Sequence, residues 1–145
     1  KTGAAGNISL WGNIIADIID SPMLKKHGLL NYKNIHERAD KLISDFGVLC
    51  QNDDQPIGML SGGNMQKVVV AREFSSDPKL LIANQPTRGI DVGANEFIWK
   101  KIIEQRDAGK GVILISADLN EIMELSDSIL VMCGGQAAAY FEDAK

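Results

Sequence analysis

Several things are scarce in this sequence, and each scarcity excludes a class of protein. Of 145 residues only Cys50 and Cys133 are cysteine, and they stand far apart. A disulfide-stapled secreted domain is therefore excluded, and reduced thiols in a cytosolic compartment are expected. Long apolar runs are missing too. The strongest are Val68–Ala71, Leu80–Ala83, Val112–Ile115 and Ile129–Met132, far short of the roughly 20 residues a bilayer span requires. Positive charge is scarce. Lys and Arg total 15 against 19 Asp and Glu, a net charge of −4, which argues against a nucleic-acid binder working through a basic surface. The start, Lys1-Thr2-Gly3-Ala4-Ala5-Gly6, has no apolar core behind its one charge. It reads as a cut chain end, not as a targeting peptide. The histidines are His27 and His36 alone. With Asn31 and Asp40 at the i+4 positions, both read as surface histidines, and no metal site is expected.

What is present suits a soluble globular domain: 45% apolar and 23% charged residues, with a mean hydropathy of −0.05. A chain of this length buries about two-thirds of its unfolded surface without metal or disulfide. Trp11, Ile14, Ile15, Ile18 and Ile19 repeat at the spacing of one helix face, with Ser9 or Asn7 as cap and Ser21-Pro22 as stop. Residues 23–31 read as a loop or a short turn of helix. Ile35, Ala39, Leu42, Ile43 and Phe46 mark a second helix, capped by Asn31 or Asn34 and stopped by Gly47. A polar loop over 50–58 follows. A helix opens after Ser61-Gly62-Gly63 and closes at Asp77-Pro78. Then come strands over 79–83 and 111–116, each expected to be buried on both faces. A helix over 94–108 lies between them, with Phe97, Ile98, Ile102 and Ile103 inward. Asp118 with Glu121 predicts a capping box, and Gly134-Gly135 a hairpin between strands at 128–132 and 137–141. The order is that of an α/β layer domain with a helical extension.

Two stretches have chemical potential. Ser61-Gly62-Gly63 opens a helix, where free N–H groups and the positive dipole end favour anions, and glycines let an anion approach the backbone. On its own, such a stretch is more often just a cap and a turn. Leu80-Leu81-Ile82-Ala83 ends in Asn84-Gln85-Pro86-Thr87, placing polar residues at the carboxyl edge of a sheet, where α/β proteins bind ligands.

The order LSGGNMQK (60–67), LLIANQPTRGIDVGA (80–94), ILISADLNEI (113–122) resembles the ATP-binding cassette of ABC transporters. Leu60–Gln66 looks like the signature motif, Leu80–Gln85 the Walker B strand, Arg88–Asp91 the D-loop, and Ser116-Ala117-Asp118 the switch-histidine position. The wording PTRGIDVGA and DSILVMCGG most resembles the second cassette of the ATPase subunits of sugar-type and nucleoside-type importers. The resemblance implies an α/β fold: a helical subdomain (1–59) joined to the signature helix and C-terminal half of an ABC-type P-loop ATPase core (60–145), with a partial, mostly parallel sheet.

The departures are specific. The Walker A pattern occurs nowhere; the one Gly-Lys pair, Gly109-Lys110, has Glu104 and Gly111 where it needs Gly and Ser or Thr. The family's metal-associated Asp maps to Asn84, its general-base Glu to Gln85, and its switch His to Ala117. An amide accepts no proton at neutral pH and is a poor Mg²⁺ ligand beside a carboxylate. The resemblance thus implies a degenerate site of this chain's own, with no catalytic group intact. It also implies that Ser61, Gly62, Gly63, Gln66 and Asp91 bind nucleotide held by a second cassette. ATP and Mg²⁺ are implied for the complete protein, and none for the fragment, which is expected to be inactive alone. Implied partners are the second cassette and the transmembrane permease subunits, with a substrate-binding protein indirectly. The implied location is cytoplasmic, at the inner face of the membrane. The alternatives are a regulatory or interaction module that kept the fold, or, disfavoured by the acidic pI and the importer-like wording, a soluble ABC protein acting on ribosomes or repair complexes. A cut sheet predicts an open strand edge, apolar surface and self-association.

Of the remaining residues, Cys50 and Cys133 read as inert, Lys25-Lys26 as a solvated pair and Trp99 as packing. Arg88 reads as an anion contact or ion-pair partner. Lys67 and Arg72 read as phosphate-flanking or simply exposed.

Overall fold

The computed structural model describes residues 3–26, 28–90 and 92–143; Asp91 and His27 lie outside them. The first helix, α1 (Leu10–Ile14), is capped by Ser9, whose hydroxyl accepts from the Gly12 N–H at 3.2 Å. It is shorter than the apolar spacing predicts. After Ile15 the chain runs on in three-residue turns, Ile18 N to Ile15 O and Ser21 N to Ile18 O. Gly12 and Asn13 are weak helix formers, and Asp17 and Asp20 would crowd the negative end of a longer helix. Asn13 is spent elsewhere. Its buried amide donates to the Ala5, Ile8 and Ser9 carbonyls and its oxygen accepts from Ala5 N. Pro22–Leu24 forms a 3₁₀ turn. The stretch expected as loop holds a small antiparallel hairpin, β1 (Lys25–Lys26) with β2 (Leu29–Leu30).

Helix α2 (Tyr32–Asp45) starts at an Asn31 cap and ends before Gly47, whose φ of 56° suits glycine. After the polar loop, α3 (Gly62–Ser75) starts at Ser61. Leu10, Ile14, Ile15, Leu24, Ile35 and Ala39 from the first half meet Val68, Ala71, Ile98 and Ile102 from the second in one core. The aromatic rings of Phe46, Phe74 and Phe97 meet edge to face beside it.

β3 (Leu80–Asn84) and β4 (Gly111–Ile115) pair in parallel, Leu80 opposite Gly111 through Asn84 opposite Ile115. Helix α4 (Val92–Asp107) makes the crossover, and Gly109 ends it at φ 83°. The short α5 (Leu119–Leu125) leads to an antiparallel hairpin, β5 (Ile129–Cys133) with β6 (Gln136–Phe141). Gly134 and Gly135, both at positive φ, form its two-residue turn. Among the described residues one pairing is parallel and two are antiparallel. The α/β class holds, and the parallel part is confined to β3 and β4.

These two strands are not buried on both faces. Leu81 is buried, while Leu80 and Ile82 are 51% and 61% exposed, and Ile113 and Ile115 are about half exposed on the same pair. The reason is that α3 and α4 cover one face and no described residue covers the other. A continuous apolar run reports that both faces are apolar, not that both are covered.

Candidate functional site

The predicted signature residues lie at an accessible helix start. Ser61 and Gly62 are exposed, and Gly63 is buried where α3 enters the core. The Ser61 hydroxyl oxygen accepts from the Asn64 backbone N–H at 3.4 Å and from the Asn64 side-chain amide at 3.0 Å. A hydroxyl has two acceptor positions and one proton. Asn64 occupies both acceptor positions, so the proton is left to donate. Asn64 is itself held, since its Oδ1 accepts from Leu49 N at 2.9 Å. The α3 start thus presents backbone N–H groups, a positive dipole end and a hydroxyl donor in one place.

Gln66, one turn on, does not face that opening. Its Nε2 donates to the Pro86 carbonyl at 2.9 Å, tying α3 to the loop after β3. The same loop passes close to Gly62, where an added Cβ would stand 3.8 Å from the Gly89 carbonyl oxygen. Asp91, the other residue expected here, falls outside the described residues. Lys67 points away from the helix start, donating to Gly47 O at 3.0 Å and covering the Phe97 ring. Arg72 is drawn into structure by Glu73 and the Gly3 carbonyl. Neither flanks the opening. Arg88 is exposed and has no ion pair among the described residues.

Asn84, Gln85 and Ala117 come together at the carboxyl ends of β3 and β4. Asn84 is the last residue of β3, opposite Ile115. Gln85 turns into the left-handed region at φ 51°, and its N–H donates to Ile115 O at 2.7 Å. Ala117 is exposed beside it. A groove of about 810 Å³ is lined by Gln85, Thr87, Arg88, Gly89, Ser116 and Ala117 among others. Asn84, Gln85 and Ala117, two amides and a methyl, supply no anionic oxygen for a divalent cation, and Asp118, which also lines the groove, is engaged as the cap of α5. Mg²⁺ does not fit these three residues.

Two arrangements depart from the expectations. The capping box at α5 is half formed. Asp118 accepts from the N–H groups of Asn120 and Glu121 at 2.9 and 3.4 Å, but Glu121 does not reach back, and the Asp118 N–H goes to Ser116 Oγ instead. Glu121 turns inward, 1% exposed, and one carboxyl oxygen accepts from Thr87 Oγ1 at 2.7 Å and from Trp99 Nε1 at 2.9 Å. The signal for it in the sequence is spacing: Glu121 lies four residues before the buried Leu125, on the inward face. Trp99, expected as packing, is therefore also a donor.

The second is His36. It is not an ordinary surface histidine, because its Nδ1 lies 2.5 Å from Asp53 Oδ2 and Trp11 packs edge-on against its ring. The Asp53 carboxylate raises the imidazole pKa above its ordinary value, more than partial desolvation lowers it, and Asp54 and Asp40 add to the rise. Trp11 Nε1 donates to Asp54 at 2.9 Å, so the loop over 50–56 is pinned to α1 and α2. Ligand atoms of His36, Asp53 and Asp54 lie within 4.8 Å of one another. Each has a protein partner, and the cluster reads as a structural clasp. Cys50 is half-buried, and burial pushes its thiol up, in keeping with an inert residue.

The chain is 45% identical over 138 residues to the glucose import ATP-binding protein TsgD13 of Haloferax volcanii. It is 49% identical over 139 residues to the guanosine import ATP-binding protein NupO of Bacillus subtilis. The chain is similar to import ATP-binding proteins and has the fold of an ATP-binding cassette. It is also 44% identical over 136 residues to the nucleoside import ATP-binding protein NupA of Lactococcus lactis subsp. cremoris. These alignments cover 94–96% of the cassette chain and 25–27% of the relatives, so the chain spans about a quarter of the length of the curated relatives it matches. The match lies in their C-terminal part. No family model matches the chain. Among solved structures, the dimeric post-hydrolysis state of the ATP-binding cassette MJ0796 bound to ADP and Pi superposes with a TM-score of 0.79. It covers 97% of this cassette chain and 59% of that one at 20% identity. At that identity the likeness establishes the fold. No helix among the described residues is long and apolar enough to cross a membrane.

Proposed function

We propose that this cassette is part of the ATP-binding subunit of an importer for a sugar or a nucleoside, and that it supplies the signature side of an ATP site completed by a second cassette. The observation that carries the reading is the α3 start. Ser61 and Gly62 are exposed there, and the Ser61 proton is left free to donate once Asn64 has taken both acceptor positions. Such a site needs only to position and neutralise a terminal phosphate, which helix-start amides and one hydroxyl do without acid–base chemistry. Relatives named as glucose, nucleoside and guanosine import ATP-binding proteins support the substrate class, and the dimeric cassette of the same fold supports pairing.

In this reading the chain's own sheet end is catalytically silent. Asn84 and Gln85 supply no carboxylate, and Ala117 neither contacts phosphate nor relays a proton; loss of a general base alone typically costs about 10²–10⁴-fold. ATP with Mg²⁺ is bound by the complete assembly, and the 145 residues alone do not turn ATP over. The division at residue 60 separates a helical subdomain, which meets the permease subunits, from the core that faces the second cassette. The subunit works at the cytoplasmic face of the membrane, and a substrate-binding protein reaches it only through the permease.

The test is ATP turnover by the full-length subunit. Ser61→Ala is expected to lower it, and unchanged turnover ends the reading. Gln85→Glu alone is expected to change little, because Asn84 and Ala117 remain. The missing acids also favour a second reading, a regulatory module that retains only the fold. Nucleotide-dependent pairing of the full-length subunit separates the two, since the module predicts none.

A further inference from the structure

Glu121 is buried at 1% exposure and contributes nothing to the cap of its own helix, which Asp118 makes alone. Burying a carboxyl is costly unless donors meet it, and here two donors converge on one oxygen: Thr87 Oγ1 at 2.7 Å and Trp99 Nε1 at 2.9 Å. Thr87 lies in the loop over 85–90, and its side chain is buried with Pro86. Inside itself the loop is weakly held. Arg88 N reaches Gln85 O at 3.2 Å and Ile90 N reaches Thr87 O at 3.4 Å, both long for backbone bonds. Beyond the Gln85 N–H bond to Ile115 O at its start, contacts on two sides therefore set its position. On one side Gln66 of α3 grips the Pro86 carbonyl and Gly62 lies against Gly89. On the other side stands Glu121, braced by Trp99 of α4.

We propose that Glu121 is a positioning residue for the signature start. Through Thr87 it fixes the loop over 85–90, and that loop, through Gln66 and Gly62, holds the first turn of α3 in register with the carboxyl ends of β3 and β4. Glu121 touches no nucleotide. The chain of contacts runs from α5, directly after Ser116-Ala117-Asp118, to α3, so a change at one sheet-end loop is felt at Ser61–Gly63. The consequence for turnover rests on the function proposed above; the positional claim does not.

Amide hydrogen exchange reads the positional claim without nucleotide. Thr87→Val keeps the side chain's shape and removes the hydroxyl. Exchange is expected to rise about tenfold across 64–66 and at Arg88 and Ile90, whose N–H groups are bonded in the parent, the loss of protection that one buried hydrogen bond supports, while α2 stays unchanged. Glu121→Leu is expected to match it. Glu121→Gln, whose amide oxygen still accepts from both donors, is expected to keep the wild-type pattern. In the full-length subunit Thr87→Val is expected to lower kcat about tenfold and leave KM for ATP within about twofold, as for loss of an interaction that orients without binding. Wild-type exchange at 64–66 in both Thr87→Val and Glu121→Leu overturns the proposal, as does equal damage from Glu121→Gln and Glu121→Leu. Failure of the functional reading looks different: Ser61→Ala leaves turnover untouched while 64–66 still respond to Thr87→Val.

Discussion

Replacing Ser61 by aspartate separates a helix cap from a phosphate contact. Aspartate caps helices about as well as serine, and alanine does not. In the structure the capped backbone N–H, on Asn64, stands 3.4 Å from Ser61 Oγ, beyond the usual 2.9–3.0 Å for such bonds. Ser61→Ala therefore falls near the low end of the cap range, about 0.5–1 kcal/mol. That is a melting shift of roughly 2–5 °C for a domain of this size. Ser61→Asp keeps the acceptors and is expected to melt within about 1 °C of the parent. Turnover behaves in the opposite order. Alanine removes one donor, a loss of about 10²-fold if it resembles other anion-stabilising donors. Aspartate places a negative charge at the exposed helix start, where the terminal phosphate is proposed to bind. Two unit charges about 4 Å apart near a protein surface repel by about 4 kcal/mol, which is roughly 10³-fold. The assay pairs thermal unfolding with ATP turnover in the full-length subunit, and added salt is expected to recover part of the Ser61→Asp loss. Turnover near that of the parent in Ser61→Asp would refute the reasoning, because no phosphate then approaches α3.

Four further outcomes are expected. Ile98→Ala, at a fully buried position, should cost about 2–5 kcal/mol in denaturant unfolding. Ile82→Ala, on the open face of β3, should stay within about 0.5 kcal/mol; equal costs would mean the face is covered after all. Gly58→Ala brings a Cβ to 2.8 Å from the Gly6 carbonyl oxygen, so it should destabilise by about 1–3 kcal/mol, and a neutral result would show that the segment before α1 moves freely. The His36–Asp53 pair sets a pH dependence. Its imidazole pKa is raised from 6.5, so the stabilisation is complete below about 6.5 and is lost as pH rises through the higher folded value. Melting temperature should fall over that window in the parent and not in His36→Gln or Asp53→Asn.

The local elements were largely legible because their causes are local. Asn31 and Ser61 cap helices that begin where the apolar spacing starts, Gly47 and Gly109 end helices at positive φ, and Gly134-Gly135 makes its hairpin. The signature wording carried the resemblance because small residues and a hydroxyl stand in fixed order at the start of α3. Where α1 ends was less legible. The apolar stripe runs on to Ile19, but Gly12, Asn13 and the two aspartates weigh against a helix that a stripe alone predicts.

By itself, then, the amino-acid order determined most of the helices and strands, which proteins they resemble, and that positions 84, 85 and 117 carry no acid or base. Only the tertiary structure decided what covers what and which side chains meet. An apolar run cannot say that one face of β3 and β4 stays open, because cover comes from elements distant in the chain. Nor can a glutamate three residues after a cap announce that it turns inward to Thr87 and Trp99, or a histidine that an aspartate from another loop is its partner. Such pairings depend on distances between separate elements, and those exist only once the core formed around Ile98 and Leu10 has fixed where each helix lies.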